Sequence, residues 1–397
     1  MELNNLKELI KEKAATLLPQ IIKYRRHLHA NPELSFQEYN TAKFISEILS
    51  DNNIEHKTGI AGTGIVGIIK GKGKGTGKTI ALRADMDALP ITEKNDVEYK
   101  SKNEGLMHAC GHDVHTSCLL GAAIILNDIK EYLNHDVKLI FQPGEEKLPG
   151  GASMMIKEGV LKNPEPQSIF GQHVMPFIDA GKVGFRSGLY MASTDEIYVT
   201  VKGKGGHAAM PHLNIDPVLI TANIIVSLQQ VVSRIANPAT PSVLSFGKVI
   251  ANGATNVIPN EVNMEGTFRT FDEKWREEAH KRMKKMAESI ATGMGGEVDF
   301  NIVRGYPFLI NNEELTENAK AAAIEFLGVE NVQDLDIWMA AEDFAFYSQE
   351  IPACFYRLGV RNEAKGITSS VHTPTFDIDE KALETGMGLM AWLVVNE

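Results

Sequence analysis

Cys110 and His112 stand two residues apart in Met107-His108-Ala109-Cys110-Gly111-His112-Asp113, which gathers a thiol and several metal or proton ligands into one short stretch. On an extended segment both side chains leave the same face and can reach one ion or a close pair of ions. Gly111 lets the backbone between them turn tightly. So short a Cys/His cluster also arises by chance, as a small buried thiol beside a surface histidine. Company elsewhere in the chain favours chemistry: Asp85 and Asp87, Glu145 and Glu146, His173 and His372. A thiolate or carboxylate bridge with His and Glu drawn from separate strand ends suits borderline metals such as Zn, Mn, Co or Ni. Two such ions roughly 3.5–4 Å apart are typical of hydrolases, in which they lower the pKa of a water and polarise a carbonyl. A structural zinc site usually closes with Cys and His alone, whereas a hydrolase needs a spare carboxylate as general base.

The elements that must hold these residues are legible from periodicity. Residues 79–84 form an apolar strand that runs into Asp85 and Asp87, and 137–141 form another that runs through Pro143-Gly144 into Glu145 and Glu146. A third, 168–172, ends on His173. Catalytic groups of an α/β sheet collect where parallel strands end, so three apolar strands closing on acids or a histidine form a coherent pattern. Adjacent glutamates on extended backbone point opposite ways, so one can bind metal while the other faces a substrate. Between the first two strands, 114–129 reads as a small-residue helix. Residues 6–52 read as helix, a break at Asn31-Pro32, and helix again, with His27 and His29 as surface or capping residues near the break. The run Gly71 to Thr79 resembles a phosphate-binding loop, but Lys72 stands where the pattern needs glycine and a strand follows instead of a helix. That excludes an NTPase loop and predicts a hairpin turn after the strand 62–69.

From about Gly184 the style changes. Strands at 194–202, 242–250, 261–270 and 297–303, with helices at 214–235 and 273–292, give strand-helix-strand-strand-helix-strand, a ferredoxin-like unit. Helices at 313–327 and 380–395, with a strand at 354–358, resume the earlier style, so the unit reads as an insertion. The predicted organisation is a discontinuous catalytic domain, 1–183 with 304–397, and an inserted lid or dimerisation domain, 184–303.

The 397 residues are long for one core. With 43% hydrophobic and 23% charged residues the composition is that of a globular protein, and no window is read as a membrane span. A net charge of -11 without a Lys/Arg run argues against nucleic acid as a partner. Residues 1–20 read as an amphipathic helix, not a signal peptide, and three scattered cysteines form no disulfide framework, so the cytoplasm is the expected location.

Several stretches carry a family resemblance: Tyr24-Arg25-Arg26-His27-Leu28-His29, Asn31-Pro32-Glu33-Leu34-Ser35, Arg83 to Pro90, His108 to Asp113, Gly144-Glu145-Glu146, Gly203 to Pro211 and Gly266-Thr267-Phe268-Arg269. Together they resemble the aminoacylase/carboxypeptidase amidohydrolases, in the branch of hippurate hydrolases, auxin-conjugate (IAA-amino acid) hydrolases and N-acyl-diaminopimelate deacetylases. The resemblance implies a metallo-exopeptidase-like α/β catalytic domain, with a mostly parallel central sheet flanked by helices, and two divalent transition-metal ions per subunit. It implies metal ligation by Cys110, His112, Glu146, His173 and His372, with Glu145 as general base and Asp87 as the carboxylate orienting a ligating histidine. His207 and Asn256 correspond to lid residues that steady the scissile carbonyl or tetrahedral intermediate, often across a homodimer interface. Arg269 matches an arginine that grips the substrate carboxylate. Gly144 replaces the usual alanine before the glutamate pair, which is expected to loosen that loop. The implied activity is hydrolysis of the amide of small N-acyl or N-aroyl amino acids, with N-acetyl-amino acid or N-acetyl-diaminopimelate deacetylation, or dipeptidase or carboxypeptidase action, as alternatives. A binding protein that kept the fold without turnover is disfavoured by Glu145, since a binder needs no base.

Overall fold

The computed structural model describes residues 2–73, 75 and 77–397. The chain divides into two compact units: Met1–Tyr190 with Ile310–Ile337 and Asp343–Glu397, and Met191–Leu309 with Trp338–Glu342. The first crossing falls later than 184 because Val183–Phe185 is still a strand of the first unit's sheet, pairing with Ala353–Arg361 on one side and Val332–Asp334 on the other.

The first unit is built on an eight-stranded sheet in the order Glu55–Ile60, Gly64–Ile69, Asp136–Gln142, Thr79–Asp85, Ser168–Asp179, Ala353–Arg361, Val183–Phe185, Val332–Asp334. Its four central strands are mutually parallel. Each is buried almost throughout, as a sheet covered on both faces requires, with polar side chains such as Arg83, Lys138 and Arg357 buried among the apolar ones. Helices Leu3–Ala30, His112–Asp128 and Ala382–Asn396 pack on one another and supply much of the core, with Trp392 fully buried and its indole N–H donating to the Ala322 carbonyl at 2.9 Å.

Sheet order corrects one expectation. Gly64–Ile69 pairs with Asp136–Gln142, and Thr79–Asp85 lies on that strand's other side, so residues 70–78 bridge two strands that are not neighbours and form no hairpin. Lys74 and Thr76 of that loop lie outside the described residues.

In the second unit, strands Asp195–Lys202, Ser242–Ile250, Glu261–Thr270 and Glu297–Arg304 form an antiparallel sheet whose spatial order is second, third, first, fourth. Helices Pro217–Gln230 and Glu273–Gly293 pack on it, which completes the ferredoxin-like pattern. Asp216 and Asp272 cap the two helices through backbone N–H groups of Val218, Leu219 and Trp275. The first helix continues as a π-turn, Val231–Ile235. By length and composition Pro217–Ile235 passes as a membrane span, with a mean hydropathy of 1.5, contrary to the sequence expectation. Ile220, Ile224, Leu228 and Val231 are nonetheless buried in this unit's own core.

Candidate metal centre

The centre forms where neighbouring parallel strands of the first unit end. Asp85 closes the strand Thr79–Asp85 opposite Gln142, so Asp87 and the Glu145–Glu146 pair emerge side by side. His173 reaches the same place differently: its strand runs on to Asp179, so it is not a strand end. The ladder between that strand and Thr79–Asp85 stops with Arg83 opposite Gly171, which uncovers His173 two residues later.

Cys110 and His112 do not lie on an extended segment. Gly111 between them is left-handed, φ 85°, and His112 opens the helix His112–Asp128. A Cβ on Gly111 would sit 2.5 Å from Val174 Cγ2, so both conformation and space demand glycine here. His372 is also left-handed, φ 61°, held by its N–H donating to the Ala109 carbonyl at 2.7 Å. Such strain in a non-glycine residue persists only where its surroundings impose it.

These turns bring the donors together. Cys110 Sγ lies 3.3 Å from Nε2 of both His173 and His372, and His372 Nε2 lies 3.3 Å from Glu146 Oε1. Two clusters result, Cys110–His112–His173 and Cys110–Glu146–His372, each with its donor atoms within 4.8 Å of one another and with Cys110 common to both. Sulfur and nitrogen ligands on a tetrahedral zinc stand about 3.6 Å apart, from bond lengths near 2.3 and 2.1 Å, so the spacing fits an ion. Two buried atoms support the fit: His112 Nε2 and Glu146 Oε1 make no hydrogen bond, although buried polar atoms are ordinarily paired. The donor set is one for two ions.

The Glu145–Glu146 pair departs from expectation. The segment is bent, not extended, so both carboxylates turn toward His112 within the same 4.8 Å limit, with Glu145 Oε2 at 4.0 Å from His112 Nε2. Glu145 is buried and His372 exposed.

Asp87 is the hub. Its Oδ1 accepts from His112 Nδ1 at 3.1 Å and from the Glu145 N–H at 3.1 Å, while Oδ2 accepts from the Glu146 N–H at 3.0 Å and the Ser35 hydroxyl at 2.6 Å. It therefore fixes the tautomer of one candidate ligand and the backbone carrying two carboxylates. Burial alone would raise its pKa, but the bonds from His112, Ser35 and the Glu146 N–H hold it below the usual value. Burial likewise works against charge on His112, yet Asp85, Asp87 and Glu146 hold its pKa up at about 10. A cation on Nε2 satisfies the same carboxylates. Burial, then Glu146, Glu145 and Asp85, push the Cys110 thiol far above its ordinary value, so its thiolate needs a positive partner.

Several supporting residues escaped the sequence analysis. His29 is not at the surface: it is fully buried, bonded to Asp113 at 2.8 Å and Glu93 at 3.2 Å, while Arg25 donates to Asp113 at 2.8 Å directly behind His112. His27 is exposed and stacks on Phe44. Gly144 does not loosen its loop: φ is 57°, the Phe36 ring occupies the space a Cβ would take, and buried Glu38 accepts the Gly144 N–H at 2.8 Å together with the Phe36 N–H and the Thr63 hydroxyl. His115, three residues after His112 and so on the same helix face, is also buried here.

The remaining candidates belong to the second unit. His207 and Asn256 adjoin on a short ladder, Gly206–His207 against Val257–Ile258, with the Ala208 N–H donating to the Asn256 carbonyl at 3.0 Å, and both side chains are exposed. His207 Nδ1 accepts the Ala209 N–H at 3.1 Å, which puts a proton on Nε2 of the neutral ring. Arg269 is half-buried, donating to the Thr267 hydroxyl at 3.3 Å and the Met339 carbonyl at 3.4 Å.

Residues 81–396 match the family described as Peptidase family M20/M25/M40. The chain belongs to that family. It is 40% identical over 376 residues to the IAA-amino acid hydrolase ILR1-like 5 of Arabidopsis thaliana, covering 94% of this chain and 85% of that one. It is 39% identical over 384 residues to the N-acetylcysteine deacetylase of Bacillus subtilis, covering 95% and 96%. The crystal structure of the Bacillus subtilis YXEP protein, described as a dinuclear metal binding peptidase from the M20 family, superposes with a TM-score of 0.81 at 35% identity, covering 96% of this chain and 98% of that one. This M20 member is a metal-dependent hydrolase of amide bonds.

Proposed function

We propose that the protein hydrolyses the amide of small N-acyl or N-aroyl amino acids to a carboxylic acid and a free amino acid. The observation that carries this is the buried Glu145 carboxylate beside two donor clusters that are complete without it. Cys110, His112 and His173 would hold one ion and Cys110, Glu146 and His372 the other. Bound there, the ions supply Lewis acidity, lowering the pKa of a water and polarising the scissile carbonyl. Glu145 takes the proton of the attacking water and delivers it to the leaving nitrogen as the C–N bond breaks. Asp87 keeps His112 oriented. His207, whose neutral ring carries its proton on Nε2, and Asn256 are proposed as groups that steady a substrate carbonyl, in the same or a partner subunit, and Arg269, which now bonds a hydroxyl and a carbonyl, as the partner of a substrate carboxylate. Three unpaired buried thiols fit a cytoplasmic enzyme.

The test is a panel of N-aroyl, long-chain acyl and N-acetyl amino acids and dipeptides, scored by release of the free amino acid. Fastest turnover of aroyl or indolylacyl conjugates supports this substrate class. Preference for acetyl groups moves the assignment to a deacetylase, which the likeness to the N-acetylcysteine deacetylase keeps as the second reading. Chelation should abolish turnover and a divalent transition metal restore it; full activity in verified metal-free protein would remove the centre.

The second unit is also proposed to pair with its twin. Leu219 and Val226 of the helix Pro217–Gln230 are 55% and 72% exposed, an unusual outlay of apolar surface that a homodimer would cover. Sedimentation should give a dimer, and a fully active monomer would refute the pairing.

A further inference from the structure

Asp85, His112 and His115 also lie close enough together to be taken for a third metal cluster. The hydrogen bonds of His115 argue otherwise. Its Nδ1 bonds Asp85 Oδ1 at 2.6 Å, and its Nε2 accepts the Val174 N–H at 2.9 Å. An accepting nitrogen carries no proton and has no lone pair left, so His115 is neutral, with its proton on Nδ1, and cannot ligate. What it holds is the peptide following His173. The Val174 carbonyl, on the next peptide across the Val174 Cα, accepts from His173 Nδ1 at 2.8 Å, and that bond aims His173 Nε2 at Cys110 Sγ.

We propose that His115, backed by Asp85, is a positioning residue that orients the ligand His173 through the Val174 peptide and so sets the affinity of one of the two ions. The strand geometry explains why the fold needs it. Thr79–Asp85 stops pairing with Ser168–Asp179 at Gly171, so beyond that point the strand carrying His173 has no ladder partner on that side, and His115 supplies the acceptor a neighbouring strand would have given. Asp85 is itself fixed: its Oδ2 accepts from Arg83 at 2.6 Å, and its carbonyl accepts from the hydroxyl of Thr116, beside His115, at 2.7 Å. The Val174 side chain lies against Gly111, between Cys110 and His112, so one residue links three proposed ligands. The ring of His115 lies 4.6 Å from that of His173, leaving little room for either to turn. Groups bonded directly to a ligand, as the Val174 carbonyl is to His173, are worth about 10–100-fold in metal affinity, and His115 acts by holding the residue that carries that carbonyl.

The inference rests on the two-ion reading above, and the experiment separates them. Zinc is titrated calorimetrically into metal-free wild type, His115→Gln and His115→Asn, with melting curves and metal analysis for each. Glutamine can place an oxygen near the Nε2 position and keep the Val174 N–H bonded. Asparagine reaches only the Nδ1 position, keeping Asp85 and losing Val174. Wild type should bind two ions; His115→Gln should stay within a few-fold of it; His115→Asn should bind one ion normally and the other about 10–100-fold more weakly. An Asn variant that binds both ions like wild type, or Gln and Asn variants impaired alike while folded, overturns the relay. Wild type binding fewer than two ions overturns the two-ion reading and the relay with it. Should the Asn variant not fold, nitrogen NMR of histidine-labelled wild type loaded with cadmium decides: cadmium coupling to His173 and none to His115 is expected, and coupling to His115 overturns the assignment.

Discussion

Glu145→Gln is expected to keep both ions and lose turnover, with kcat falling by about 10²–10⁴. The structure makes this a clean substitution. Glu145 belongs to neither Cys110-containing cluster, and its backbone position is fixed by an N–H that any residue would donate to Asp87. The amide matches the carboxylate in shape but cannot accept a proton from water. Glu146→Gln differs, because its Oε1 belongs to the cluster with Cys110 and His372. A neutral amide is the poorer ligand for a divalent ion, so this variant should bind one ion in place of two. Since both carboxylates turn toward His112, their roles are separated by the measurement and not by direction alone. Metal stoichiometry and kcat of the two variants, taken side by side, decide it. If Glu145→Gln loses an ion while Glu146→Gln stays loaded and inert, the roles are exchanged; if Glu145→Gln remains active, the base lies elsewhere.

The parts of this centre legible in the sequence are those whose chemistry is local. Cys110 and His112 advertise themselves because candidate ligand types crowd into a few residues, and Glu145 and Glu146 because they follow closely on an apolar strand. The ferredoxin-like order was legible because each of its elements shows its own period. Other features depend on partners distant in sequence. Nothing near His29 signals its burial, which comes from Asp113, 84 residues away. Gly144 looks permissive until Phe36 is found in the space beside it. Residues 70–78 look like a hairpin because local pattern cannot reveal that Asp136–Gln142 inserts between the flanking strands. His115 sits on the ligand face of its helix, a visible hint, but only the early end of the neighbouring strand gives it an N–H to receive. Spacing thus pointed to candidate donors, while the tautomers and backbone bonds that aim them needed the fold.

Cys110→Ser is expected to empty the whole centre. Cys110 is the one donor common to both clusters, so its loss removes a ligand from each ion at once. His173→Ala and His372→Ala, by contrast, should each cost one ion, since each belongs to a single cluster that contains Cys110. Serine retains the size of the side chain, so the buried pocket around it, bounded by Ala109 and the helix His112–Asp128, should survive. Its hydroxyl is a far weaker ligand than a thiolate for borderline metals. The thiolate in turn depends on the ions: burial and the nearby Glu146, Glu145 and Asp85 oppose its negative charge, and a bound cation would offset them as the proton leaves to water. A ligand bound solely to the folded state at a hundred times its Kd adds about 2.7 kcal/mol of stability per site. Zinc should therefore raise the melting temperature of wild type, raise that of each histidine variant less, and leave that of Cys110→Ser unchanged. If Cys110→Ser still binds one ion, the thiol serves only the other, and the clusters are not bridged by sulfur. If it binds both, Cys110 is a packed thiol and the ligand assignment must start again from His112, Glu145 and Glu146.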